Sequence, residues 1–173
     1  AFVSLFKLAA ARVGIAAEVY EAPFGQYFNE TLDAGSPLFG FRPQALILCP
    51  DHRALGVPSY SDDLEGIVDA SVQRWSGVWK AARQVAPVTI VQHSFAVPGG
   101  DWLGHLASGL DGSRRSISME INRRLALRAA DEDVGLVDVD ALAARFGKDV
   151  WFDDRKWHLA KVALAPAALP LLA

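Results

Sequence analysis

The sequence contains a single cysteine, Cys49. An internal disulfide is therefore excluded, and the usage fits a reducing, cytoplasmic compartment. No apolar run reaches the roughly 18 residues that a membrane span needs, so no membrane is expected as a partner. The apolar start carries Lys7 and lacks a small-residue cleavage site with the right flanks. It reads as an amphipathic helix rather than a signal peptide. There is no basic stripe: the dense basic spots are the short pairs Arg114-Arg115 and Arg123-Arg124, and the net charge is -3. Nucleic acid is therefore not expected as a partner. Gly-x-Gly-x-x-Gly is absent, as is a Gly-Lys-Ser/Thr phosphate loop, which disfavours nicotinamide and nucleoside triphosphate sites. The histidines stand at 52, 93, 105 and 158, with no close pair and no Cys/His cluster. No metal or other cofactor is expected in this domain. Asp138-Val139-Asp140 has the spacing of a phosphatase Asp-x-Asp, but Ala141-Leu142 follows it, and Asp140 reads as a helix cap.

What remains is the composition of a globular chain. Its 173 residues suit one domain, with 51% hydrophobic and 21% charged residues. Short apolar runs at Ala17–Glu21, Ala45–Cys49, Val88–Gln92 and Gly135–Asp138 read as buried strands. Helical patterns lie at Phe2–Val13, ended by Gly14, and at Asp62–Gln84, capped by Ser61 or Asp62. Two more lie at Ser116–Ala130, with Ile117, Ile121, Leu125 and Leu127 as inward candidates, and at Asp140–Phe146, stopped by Gly147. The apolar tail, Ala160–Ala173, is expected to be a helix broken by proline or one beginning near Pro166. Strands alternating with helices imply a three-layer α/β/α fold on a parallel sheet. Such a sheet usually begins with a strand that becomes central. This chain begins in the helix that would follow it, so a first strand is expected upstream, in a longer protein.

Sites in open α/β sheets lie beyond the carboxyl ends of the strands. After the second run comes Cys49-Pro50-Asp51-His52-Arg53. Cys49 reads as a buried strand-end residue, the alternative being a reactive thiol. Asp51 and His52 are candidates for contacting a substrate, against a plain polar loop. After the third run come His93 and Ser94, then a Gly-rich turn. A serine needs a base within reach to become a nucleophile, and these neighbours would point to opposite faces of a continuing strand. The most distinctive stretch is Trp151–His158, with two carboxylates, two cations, three aromatics and a histidine. A carboxylate near a histidine can fix its tautomer, as in a triad. The alternative is an aromatic surface loop with Asp154 capping the next helix.

Three stretches together resemble a known family. They are Glu18–Tyr27 with Asn29–Asp33 and Ser36–Phe39; Phe41–Leu48; and Asn122–Leu125, Val137–Asp140, Gly147 and Trp151–Lys161. Their order and spacing resemble the N-terminal domain of the FkbH-like proteins. The resemblance implies a flavodoxin-like fold similar to SGNH hydrolases, covering residues 1–173. It also implies an adjoining haloacid-dehalogenase-type phosphatase domain, where magnesium is expected. Members load a glyceryl unit, from a phosphorylated glycerate, onto an acyl carrier protein, or act in polyketide or surface-polysaccharide assembly. From the hydrolase pattern, His158 carries over as the base and Asp154 as its orienter, with Ser94 the best available serine. The chain departs from that pattern: it has no Gly-Asp-Ser block and no Gly-x-Asn-Asp block, and Asp154 precedes His158 by four positions rather than three.

Three functions follow as expectations. The first is an accessory, substrate-presenting domain of an FkbH-like enzyme, with the acyl carrier protein and the phosphatase domain as partners. An exposed apolar surface near Trp151, Trp157 and the tail would serve that role. The second is an SGNH-type esterase or acyltransferase using His158, Asp154 or Asp153, and Ser94. The third is a flavodoxin-like module that binds a small ligand at the strand ends through His93, Asp51 and His52.

Overall fold

A computed structural model describes residues 2–160 and 164–172. Three parallel strands, β1 (Ala45–Leu48), β2 (Thr89–His93) and β3 (Gly135–Val137), lie in sequential order. Leu46 pairs with Ile90, and Gln92 with Leu136. Each strand forms where a short apolar run can be buried, as expected for a parallel sheet.

The long helices α4 (Leu64–Val85) and α5 (Arg114–Asp131) pack on each other over one face of the sheet. Leu46, Leu48 and Ile90 meet Trp75, Val78, Trp79, Ile117, Ile121 and Leu125 there. Gln92, also fully buried, accepts from Trp79 Nε1 at 3.1 Å and donates to the His93 carbonyl at 2.8 Å. The polar side chain in the core is thus satisfied at both ends. Outside, Arg124 reaches Glu65 and Asp69 of α4 and Glu120 of its own helix. The guanidinium groups of Arg123 and Arg124 hold the Glu120 carboxyl down at about 2.

Neighbouring residues of a strand face opposite sides. Leu136 joins the core just described, while Val137 joins a second one. That second core contains Ala96, Trp151 and Ala168, with Val139 and Ala143 of α6 (Val139–Phe146). Helix α7 (Lys148–Trp151) closes it. Helices thus cover both faces, in agreement with the α/β/α expectation. Among the described residues no helix is long and apolar enough to cross a membrane.

The structure corrects the sequence reading in places. Residues Ala17–Glu21 form no strand, and they lie between α1 (Phe2–Arg12) and α2 (Tyr27–Leu32), which α3 (Pro37–Gly40) follows, without a backbone partner among the described residues. The cap of α4 is Asp63, whose carboxylate accepts from Gly66 N at 2.9 Å, not Ser61 or Asp62. Asp138 rather than Asp140 caps α6, because Asp140 is one residue inside the first turn. Leu127 is exposed, a position off the inward stripe of α5. Cys49 is exposed rather than buried, since it lies one residue beyond β1. Trp151 is completely buried in the second core and so offers no surface. The described part of the tail holds a 3-10 turn, Leu169–Leu171, and an isolated bridge from Phe152 to Leu164, with no α-helix starting at Pro166. Residues 161–163 and 173 of that segment lie outside the described residues.

Candidate functional site at the carboxyl edge of the sheet

Parallel strands bring the loops after β1, β2 and β3 to one edge. The β1 loop enters a short 3-10 turn, His52–Leu55, which Gly56 ends in a left-handed conformation at φ 64°. Asp51 caps the turn by accepting from Arg53 N at 2.7 Å, and it also pairs with the Arg53 guanidinium at 3.3 Å. Arg53 reaches across the chain to Asp154 at 2.8 Å and lies 4.3 Å from the centre of the Trp157 ring. Phe24 meets the same ring edge-on at 5.7 Å. One arginine thus ties the β1 loop to α8 (Asp154–Ala160) through an ion pair and a cation–π contact.

His52 meets Phe152 edge-on at 4.8 Å, and its Nδ1 is buried without a partner among the described residues. Burial, then the nearby Arg53 cation, lower its pKa against the pull of Asp51. His93 is also buried, and burial lowers its imidazole to about 4. Its Nε2 lies 3.7 Å from Cys49 Sγ. Although Cys49 is exposed as a residue, loss of hydration around its thiol pushes the pKa up to about 12. At neutral pH this strand-end pair is therefore an uncharged thiol beside an uncharged imidazole, with no thiolate to act as a nucleophile.

Ser94 is 2% exposed. Its Oγ accepts from Val139 N at 2.9 Å and donates to Asp138 Oδ1 at 3.4 Å. The hydroxyl thereby stitches the end of β2 to the start of α6. Beyond it, Asn122 of α5 clamps Phe95, accepting from its N–H at 2.9 Å and donating to its carbonyl at 2.7 Å. Asp140 accepts from Val97 N at 2.6 Å and from Lys148 Nζ at 2.7 Å. The loop after β2 is therefore a fixed, buried floor.

The sequence-derived site residues are brought together in part. Asp51 and Asp154 share Arg53, and His52, in the loop after β1, and His93, the last residue of β2, stand at adjacent strand ends. His158 is exposed on α8, and no hydrogen bond joins it to Asp154 or Ser94 among the described residues. The cap of α8 is Asp153, which accepts from Lys156 N at 3.1 Å, rather than Asp154. No histidine ring hydrogen-bonds a serine hydroxyl among the described residues, so the geometry a nucleophile requires is not assembled there. Nor do three or more His, Cys, Asp or Glu side chains converge to hold a metal among the described residues. Sequence reasoning missed Arg53 as the hub and Asn122 as the clamp. Asp51-x-Arg53 directly after a strand was the available signal for Arg53; Asn122, though it opens the Asn122–Leu125 stretch, sits mid-helix with nothing local to mark it as a backbone clamp.

No protein-family model matches the sequence, and no curated protein does. Among solved structures, the chain is similar to the N-terminal part of the protein BF1531 from Bacteroides fragilis, described as containing a phosphatase domain complexed with Mg. The TM-score is 0.81 at 15% identity, over 99% of this chain. The chain spans 46% of that structure's length. The likeness establishes a shared fold.

Proposed function

We propose that this domain is the accessory, substrate-presenting part of an FkbH-like enzyme, one that loads a glyceryl unit onto an acyl carrier protein. The observation that carries this reading is the likeness in fold, across 99% of the chain, to the N-terminal part of a phosphatase-domain protein. The site chemistry agrees with it. Ser94 is occupied as a structural stitch, the thiol and imidazole at the strand ends are uncharged, and the loop floor is fixed. Such an edge binds and orients better than it reacts. In this reading Asp51 and His52 line the contact surface, His93 stays buried at the end of β2, and Arg53 with Trp157 holds α8 beside it. The phosphatase chemistry, and magnesium with it, belongs to an adjoining domain.

The test uses the longest natural form of the protein, with a phosphorylated glycerate and an acyl carrier protein. Glyceryl attachment to the carrier is followed by intact mass. We expect Arg53→Ala to raise the KM for the carrier on the order of tenfold or more, the equivalent of about 1.4 kcal/mol of lost binding. Phosphate release from free substrate should stay unchanged. Absence of any glyceryl transfer, or a variant whose carrier KM is unaltered, would contradict the proposal.

A further inference from the structure

Residues 102–110, in the loop from β2 to α5, contain no Asp, Glu, Lys or Arg. Trp102, Leu106 and Leu110 are nonetheless exposed, Leu106 at 71%. The backbone that carries them is fixed. Ser113 and Ser116 each donate a hydroxyl to the Ala107 carbonyl, at 2.7 and 3.4 Å, which seats the 3-10 turn Gly104–Gly109 on the first turn of α5. Trp102 Nε1 donates to the Ser59 carbonyl at 3.3 Å, and Arg114 donates to the Ser59 hydroxyl at 2.9 Å. Apolar side chains held outward on a fixed frame mark a contact surface.

Beside this turn, a groove of about 620 Å³ runs along the outer face of α5. Ser108 forms one wall, and Arg115, Ser116, Met119, Glu120 and Arg123 form the other. Arg115, Met119 and Arg123 recur at every fourth position and so make one stripe on the helix. The stripe is about 12 Å long, just over two helical turns. Met119, in its middle, is 52% exposed. The charge of the groove is cationic. The Glu120 carboxylate is shared between Arg123 and Arg124, each at 2.7 Å. Arg115 has no ion pair among the described residues. Arg114 adds to the lowering of the His52 imidazole that burial and Arg53 begin, so this end of α5 stands beside the strand-end site.

We propose that this groove docks an acidic amphipathic helix of a partner protein. The helix carries two carboxylates about two turns apart, which pair with Arg115 and Arg123, and an apolar residue midway, which meets Met119. Leu106 and Trp102 extend the apolar contact beyond the groove. A two-turn cleft floored by methionine and flanked by arginines matches that ligand in length, polarity and sign. Met, Trp and Arg are also enriched where proteins meet. Nucleic acid fits less well, because the Glu120 carboxylate would face its phosphates. A second copy of this chain also fits less well, because across a two-fold axis the same cations would face each other. The inference stands on the groove alone. Under the function proposed above the carrier would present such a helix, but the test does not depend on that reading.

The probe is a helical peptide of about 16 residues with Glu at the two acidic positions and Leu midway; its control has Lys for both Glu. Binding to the longest natural form is read from the Met119 methyl signal, assigned with Met119→Leu. The Glu peptide should bind about tenfold more tightly than the Lys peptide at low salt, and the difference should shrink at about 1 M salt. Arg115→Glu combined with Arg123→Glu should reverse the preference, and binding of the Lys peptide would show that this variant is folded. Arg115→Glu alone, at a cation with no ion pair to lose, should cut the preference severalfold. An unmoved Met119 methyl with either peptide, equal binding of the two, or a preference untouched by Arg115→Glu overturns the proposal. A methyl signal that moves with protein concentration alone also overturns it, in favour of contact between copies.

Discussion

Asn122→Ala is expected to destabilise the domain by about 2–6 kcal/mol, read as a fall in the urea midpoint with an unchanged slope. The side chain meets both the N–H and the carbonyl of Phe95, at 2.9 and 2.7 Å. Phe95 is fully buried, so alanine leaves two backbone groups without water or partner. Each such orphan costs roughly 1–3 kcal/mol. Asn122→Asp can still accept from the Phe95 N–H but cannot donate to its carbonyl, and should fall between alanine and wild type. Equal stability of Asn122→Ala and wild type would mean that the loop after β2 relaxes freely, which would remove the case for a fixed floor at the candidate site.

Acidification is expected to cost the domain up to about 3 kcal/mol between pH 6.5 and pH 4, through His93 alone. Burial lowers this imidazole from 6.5 to about 4. Within that window the unfolded chain takes up a proton that the folded chain refuses. The unfolded state then binds more protons, so stability rises with pH and is lost as pH falls. His52, also lowered by burial, acts in the same direction. Glu120 acts below this window: held at about 2 against an ordinary 4.5, it contributes stability that is lost only as pH falls from 4.5 toward 2. Urea midpoints at several pH values, for wild type and His93→Gln, separate these contributions. The variant should show a markedly flatter dependence between pH 4 and 6.5. An identical dependence in both proteins would place the titration elsewhere.

The elements that sequence patterning located share a physical cause. Ala45–Leu48, Thr89–His93 and Gly135–Val137 are short apolar runs with a core to enter and a neighbour to pair with. Residues 17–21 carry the same local pattern but have no strand neighbour among the described residues, and they form no strand. Strand formation is a property of a pair, and one segment's composition reports only half of it. The helix caps were displaced, by one position from Asp62 to Asp63 and by two from Asp140 to Asp138, because nearby Asx residues compete. In Asp62-Asp63, and in Asp138 against Asp140, local patterning does not say which carboxylate faces the first free amides. That Asp51, His52, His93 and Ser94 lie at one edge was legible because they stand at or just after strand ends, and parallel strands deliver their ends to one edge. What Ser94 does there was not legible. Its partners, Val139 and Asp138, lie more than 40 positions away and meet it only after folding. Arg53 likewise gains its role from Asp154 and Trp157, which tertiary packing brings to it.

Above all, the strand-end site formed by these residues is expected to present rather than react. The most direct test is to treat the longest natural form with a serine-directed fluorophosphonate, weigh it intact, and map any adduct to a peptide. We predict no adduct on any serine of residues 1–173, Ser94 included. A covalent adduct on Ser94 that disappears in His158→Ala would contradict the account and establish a working esterase-type site.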